Sequence, residues 1–290
     1  MNLPAPTEQP TRVHTAFYRF TPLPDAAAAA ATLRALAADL FGAITVAPEG
    51  VNGAVAGSPA AVQAFETALQ RADVLGGALA GMPFKHSACT TPPYARLKVL
   101  VKPEIVALGL PGAAGLHSTL PLPDAEDDSH LSPQQWRELL QRDVKDGGVV
   151  LLDNRNHFEF RLGHFKGAAD PEVRHFRDFV AYVEQHAPAW REAERPVAMY
   201  CTGGIRCDKT APWLRSLGLQ VLQLDGGILN YFQQLPDAEQ DWQGECFVFD
   251  KRIALNTALQ EMPTTAEQVF DDTDPGEAWR LARAKRLDAF

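Results

Sequence analysis

The sequence predicts a two-domain protein: an α+β domain over residues 1–110, then a doubly wound α/β domain over 131–245. Three observations carry that prediction. At 290 residues the chain is long for one compact domain. In its second half, short apolar-rich runs alternate with helical stretches, as in a parallel sheet covered on both faces. In its first half, glycine- and proline-marked turns separate strands from two helices in the order β-α-β-β-α-β.

Val13 to Phe20 reads as a strand, and the alanine-rich stretch Asp25 to Leu40 as a helix. Ala43 to Ala47 and Val51 to Ala56 read as strands around the turn Pro48-Glu49-Gly50. Glu49 and Asn52 are read first as turn chemistry and second as RNA contacts. Ser58 caps a helix running to about Arg71. Arg96 to Leu108 carries alternating strand patterns around Pro103 and closes a ferredoxin-like domain.

Residues 111–130, with the acidic run Asp124 to Asp128, read as a solvated linker. Ser132-Pro133-Gln134-Gln135 combines a serine cap, a first-turn proline and a capping-box glutamine. Val149 to Asp153, Val197 to Tyr200 and Leu219 to Leu224 read as buried parallel strands. Helices are expected between them at Glu172 to Gln185 and Asp208 to Leu217. The tail, 246–290, is a less defined extension with one clear helix start at Asp274-Pro275-Gly276-Glu277. The helix that follows carries Arg280, Arg283, Lys285 and Arg286: a docked surface helix, or an RNA-touching tail.

Composition narrows the function classes. Four cysteines are too few for a disulfide scaffold, and no Cys or His pair has zinc-site spacing, so no metal is expected. No apolar run approaches the roughly 18 residues that span a bilayer, and Met1-Asn2-Leu3-Pro4 lacks the regions of a secretion signal. The expected compartment is the cytoplasm. A net charge of −9 argues against strong general affinity for nucleic acid. The charge is uneven: residues 1–110 carry a net +1 and the remainder −10.

The chemistry concentrates at Tyr200-Cys201-Thr202-Gly203-Gly204-Ile205-Arg206-Cys207-Asp208-Lys209. A buried strand ends at a cysteine, at the sheet edge where open α/β folds hold ligands. Two glycines let backbone N–H groups turn inward, and the helix behind them presents the positive end of its dipole. A thiol there ionises more readily than a free one, whose pKa is about 8.5. Cys201 is therefore the candidate nucleophile. Arg206 either stabilises its thiolate or pairs with an acid such as Asp225. Cys207 either resolves an oxidised Cys201 by disulfide exchange or simply packs. Asp153 and Arg155 are read as a structural pair beneath the loop, and Cys89 and Cys246 as structural. Lys166, Arg174 and Lys209 are candidate phosphate contacts, against the ordinary reading of solvated cations. His164 is read as packing locally.

Asp153-Asn154-Arg155 with Glu159 and Gly163-His164-Phe165-Lys166-Gly167-Ala168, the loop from Cys201 to Arg206, and Asp225-Gly226-Gly227-Ile228 together resemble a rhodanese domain. The C-x4-R loop is the tight form that rhodaneses use for sulfur; related phosphatases use C-x5-R. Adding Val46-Ala-Pro-Glu-Gly-Val-Asn-Gly53, Arg96-Leu-Lys-Val99 and Gly244-Glu-Cys-Phe-Val-Phe-Asp250, the chain from about 13 to 255 resembles the bacterial tRNA uridine(34) hydroxylase family. The resemblance implies an acylphosphatase-like N-terminal domain and a rhodanese-like domain. It also implies hydroxylation of the wobble uridine in the anticodon loop to 5-hydroxyuridine, with molecular oxygen as co-substrate. No flavin, haem or non-haem iron signature is evident. Arg161 stands where that family commonly has an acid. Sulfur transfer through a Cys201 persulfide, fed by thiosulfate or a donor protein, uses the same loop. A non-catalytic rhodanese-fold module is disfavoured by the intact cysteine and arginine.

Overall fold

The structure, a computed structural model, describes residues 12–89, 92–110 and 129–288. The expected acidic run lies outside them. The first domain is built from β1 (Val13–Phe20), α1 (Ala26–Leu36), β2 (Phe41–Ala47), β3 (Gly50–Gly57), α2 (Pro59–Leu69), β4 (Lys85–Ala88) and β5 (Leu97–Val101). Its sheet has the order β4-β1-β3-β2-β5. The first four strands are the ferredoxin-like set, all antiparallel to their neighbours. The sequence places the closing strand at Arg96 to Leu108. The structure closes the set with Lys85–Ala88 instead, and adds Leu97–Val101 parallel to β2 as a fifth, edge strand. Lys-His-Ser-Ala lacks the β-branched and aromatic residues that mark a strand; pairing with β1 decides it. Beyond Pro103 the chain is irregular.

Two amphipathic helices cover one face of this sheet. Asp25 accepts from the Ala28 N–H and Ser58 from the Ala61 N–H, so both starts are capped. Val62, Phe65 and Leu69 recur at helical spacing and pack with Leu33, Ile44, Val55 and Phe17.

The second domain runs through β6 (His130–Leu131), α3 (Pro133–Leu139), β7 (Val150–Asp153), α4 (His157–Leu162), β8 (Gly163–Phe165), α5 (Phe179–Glu192), β9 (Val197–Tyr200), α6 (Ile205–Ser216), β10 (Val221–Leu224) and α7 (Gly227–Gln234). Its main sheet is wholly parallel, ordered β6-β10-β9-β7. One face packs Leu152, Val197 and Met199 against Phe179, Val183 and Leu214. The other packs Leu151, Ala198 and Tyr200 against Trp136, Phe165 and Tyr231. His130, read from sequence as linker, is already in the sheet.

Helix α5 starts seven residues later than expected. Glu172 holds a positive φ of 53°, which breaks any helix there, and a 3-10 turn at Phe176–Asp178 leads in. It also runs past Pro188, because Phe179, Val183, Ala187 and Trp190 keep one buried stripe across the lost hydrogen bond. No helix among the described residues is long and apolar enough to cross a membrane.

The extension is folded, not loose. After β11 (Trp242–Gly244), the last strand of the second domain, it comprises β12 (Cys246–Phe247), β13 (Ala254–Leu255), α8 (Ala266–Val269) and α9 (Pro275–Asp288). β11 pairs with β8, so the extension grows out of the second domain. Phe158 packs on Phe247 and Phe270, each with ring centroids 5.0 Å apart, and Leu281 of α9 joins them. Arg161 donates to Glu277 at 2.7 Å and to the Val269 carbonyl at 3.0 Å, holding α9 down. That pairing gives the unusual Arg161 a structural role.

The two domains are joined by buried polar groups. Lys209, expected as a phosphate contact, is fully buried; its ammonium ion-pairs with Glu49 and lies 3.2 Å from Glu104. Glu49 also accepts from the Ile105 N–H at 2.8 Å, while Asn52 donates to the Ile105 carbonyl at 3.1 Å. Glu49 and Asn52 thus do more than shape a turn: both clamp the segment after β5, Glu49 receives the lysine of α6, and Asn52 also lines the cleft between the domains. His14 lies 3.6 Å from Asp250, which Arg252 grips with a two-pronged hydrogen bond, and Arg252 reaches Ser87. Removing the lysine would strand buried carboxylates. Lys209→Ala is expected to destabilise the protein by about 3–5 kcal/mol. Lys166→Ala, at an exposed side chain, should stay within about 0.5 kcal/mol. Thermal and urea unfolding midpoints of the two variants check this.

Candidate active site

Cys201 leaves β9, an interior strand of the parallel sheet, at its carboxyl end. It sits at the wall of a cleft of about 420 Å³ between the two domains. The opposite wall comes from β1, β3 and β4 of the first domain, through His14, Asn52 and Lys85. Tyr94, Phe249 and Arg252 also line it.

The loop is shaped by glycine where nothing else fits. Gly204 has a φ of 99°, and a Cβ there would lie 2.7 Å from the Tyr18 hydroxyl. Its N–H donates to the Cys201 sulfur at 3.1 Å. Gly227 has a φ of 70°, and a Cβ on it would come within 2.4 Å of the Cys201 carbonyl oxygen. That close approach lets α7 brace the loop: the Ile228 and Leu229 N–H groups donate to the Cys201 and Thr202 carbonyls at 3.0 and 3.1 Å. The Asp225-Gly226-Gly227-Ile228 motif thus works as the rear support of the cysteine loop.

The Cys201 side chain is buried, and burial alone pushes a thiol pKa up. Here it is outweighed. A hydrogen bond from the Cys207 thiol, the Arg206 charge and the backbone N–H groups of Cys207 and Arg206 bring Cys201 down to about 5. Cys201 is therefore a thiolate at neutral pH. Cys207 is driven the other way, by its own burial and by the neighbouring thiolate, and stays a proton-bearing donor.

Arg206 does not pair with Asp225. It forks onto Glu159, with both nitrogen–oxygen distances 2.7 Å, and its Nη2 reaches the Thr202 hydroxyl at 3.3 Å. Burial raises the carboxyl pKa of Glu159, but Arg206 and then Arg155 more than reverse this, so it stays charged. The planar two-pronged contact fixes the arginine while its charge still acts on the sulfur. Asp153 and Arg155 form the expected buried pair, at 2.8 and 2.6 Å, and Arg155 also donates to the Gly163 carbonyl. Neither lines the cleft.

The remaining expected cations lie elsewhere. Lys166 donates to the Glu239 and Gln240 carbonyls. Arg174 pairs with Asp274 at 3.1 Å beside the C-terminal helix. Neither lines the cleft, and Lys209 is internal. His164 packs face to face on Phe160 and bonds its carbonyl. Cys89 and Cys246 are buried free thiols.

Two residues that sequence reasoning missed touch the loop. Tyr18 donates to Asp208 at 2.9 Å. Lys85 donates to the Gly203 carbonyl and, at 2.9 Å, to the Gly226 carbonyl. Burial lowers its pKa. A lone tyrosine and a lone lysine more than a hundred residues before the cysteine carry no local signal of this role.

The ionisation has a direct readout. The rate of Cys201 alkylation by iodoacetamide should rise with pH through a midpoint near 5 and be flat at neutral pH. A midpoint near the free-thiol value of about 8.5 would contradict the geometry. Cys207→Ala removes a donor to a charged sulfur and should raise the midpoint by about 1–2 pH units.

Comparison with known proteins matches the same two regions. Residues 12–105 match the UPF0176 acylphosphatase-like domain, and residues 136–234 the rhodanese-like domain. A Nitrobacter winogradskyi protein named tRNA uridine(34) hydroxylase is 43% identical over 249 residues, 85% of this chain and 92% of its own. A Deinococcus radiodurans protein of that name is 42% identical over 261 residues, 89% of this chain and 80% of its own. One from Synechococcus elongatus is 43% identical over 247 residues, 84% of this chain and 85% of its own. With an acylphosphatase-like domain, a rhodanese-like domain and relatives this similar over most of their length, the chain belongs to the tRNA uridine(34) hydroxylase family.

Proposed function

We propose that the protein hydroxylates uridine 34 of tRNA to 5-hydroxyuridine, with molecular oxygen as co-substrate and Cys201 as the residue that engages the base. The observation that carries the reading is the Cys201 sulfur at the wall of the interdomain cleft, with the Gly204 N–H donating to it at 3.1 Å, in a chain of this family. A base in an anticodon loop is already unpaired, so turning it into such a cleft costs little.

Thiolate addition at C6 of uracil moves electron density to C5. One atom of O2 then bonds to C5 and the C5 hydrogen leaves as a proton. An external two-electron donor reduces the O–O bond, and the second oxygen atom leaves as water; of the three protons that the C5 hydroxyl and the water take up, one is the C5 proton and two come from solvent. Loss of the thiolate from C6 restores the ring. Arg206, held by Glu159, keeps the sulfur ionised between turnovers. Cys207 holds a proton beside that sulfur.

Nucleoside mass spectrometry of tRNA checks the reading. Cells without the chain should lose 5-hydroxyuridine derivatives. The wild-type chain should restore them, and Cys201→Ser should leave them below about 1% of wild type, as for loss of a covalent nucleophile. Full rescue by the serine variant would overturn the role of Cys201. Unchanged tRNA on deletion would point instead to sulfur transfer through a Cys201 persulfide.

A further inference from the structure

We infer that the C-terminal extension forms a second RNA subsite, a stacking shelf for the unpaired nucleotides next to the reacting uridine. This rests on the proposed tRNA substrate. The shelf is a cavity of about 190 Å³ between the β12–β13 segment and α9. Val248, Phe249 and Asp250 line both this cavity and the Cys201 cleft, so one surface runs between them.

The chemistry of its walls fits single-stranded RNA. Phe249 is 60% exposed and Trp279 42% exposed, and both rings line this one cavity. The Phe249 ring also faces the Arg206 guanidinium at 5.9 Å, placing it beside the loop arginine. Arg280, Arg283 and Lys251 line the same cavity, and none of the three has an ion-pair partner among the described residues. The acids nearby are already engaged: Asp250 by Arg252, Glu277 by Arg161 and Asp274 by Arg174. Arg280 is held over the Phe158 and Trp279 rings at 4.8 and 4.6 Å and donates through Nη2 to the Arg174 carbonyl at 3.0 Å, while its buried Nε has no hydrogen-bond partner among the described residues. Exposed rings interleaved with cations that no carboxylate neutralises are the recurring surface for unstacked bases and their phosphates. A chain with net charge −9 would otherwise repel RNA, so a local cationic shelf beside the cleft answers a need that the whole-chain charge creates.

The test uses the full chain with tRNA and with a short unstructured RNA as probe. Phe249→Ala and Trp279→Ala should each raise KM for tRNA about 5- to 100-fold, the loss of one stacked base. Phe249→Tyr, which keeps the ring, should restore it. Iodoacetamide alkylation of Cys201, which needs no RNA, should match wild type in Trp279→Ala, whose ring lies outside the Cys201 cleft. Arg283→Gln, at an exposed position on α9, should weaken binding and reduce the salt slope by about 0.7 for each phosphate it no longer neutralises. Unchanged KM in the two ring variants, or an unchanged salt slope in Arg283→Gln where a ring variant fails to fold, overturns the shelf. If the wild-type chain hydroxylates no tRNA, the uridine reading fails by itself. Anisotropy of the labelled RNA probe then still decides the shelf, by whether Phe249→Ala weakens its binding.

Discussion

A charged sulfur in a buried place is the constraint on which the second domain depends. Burial opposes ionisation of Cys201, and only several aligned donors reverse it. The Gly204 N–H points at the sulfur because that residue takes a backbone conformation closed to side chains. Arg206 lends its charge, yet an arginine left unpaired there would itself be costly to bury. Glu159 resolves that conflict from a separate helix, α4, whose position follows from Asp153, Arg155 and the Gly163 turn. The signature residues spread over fifty positions therefore serve one end, a stable thiolate.

The first domain completes the site and is more than a neighbour. Lys85 holds two loop carbonyls, and Tyr18 sits where any side chain at position 204 would have to go. Lys209 anchors the helix behind the loop to Glu49 and Glu104. Buried ion pairs of this kind add little net stability over apolar packing, but they specify one arrangement, since any other leaves a charge stranded. A rigid seam is what a cleft between domains requires if the sulfur is to meet a base in a fixed pose.

Much of this was legible in the chain. β1 and β9 appear with the bounds that periodicity assigns, and the serine-capped helices start where their caps stand. The cysteine loop with its arginine and the Asp153–Arg155 pair follow from a dense motif in which residue type and spacing report local geometry. Errors fell where non-local contacts decide. Lys85–Ala88 is a strand because β1 offers it an edge. The start of α5 is set by a positive φ at Glu172, which residue type does not announce.

Sequence alone determined the two domain types, the cysteine loop and its glycine supports, because each is written in short-range pattern: apolar periodicity, caps, and residues that only certain backbone shapes admit. Tertiary structure alone decided which acid meets Arg206, that Lys209 is an internal strut and not a phosphate contact, and that Lys85 and Tyr18 reach the loop from the other domain. It also folded the tail into a wall beside the cleft. Ion pairs and domain seams join residues far apart in the chain, and charge complementarity leaves the choice of partner open until packing fixes which groups are buried together.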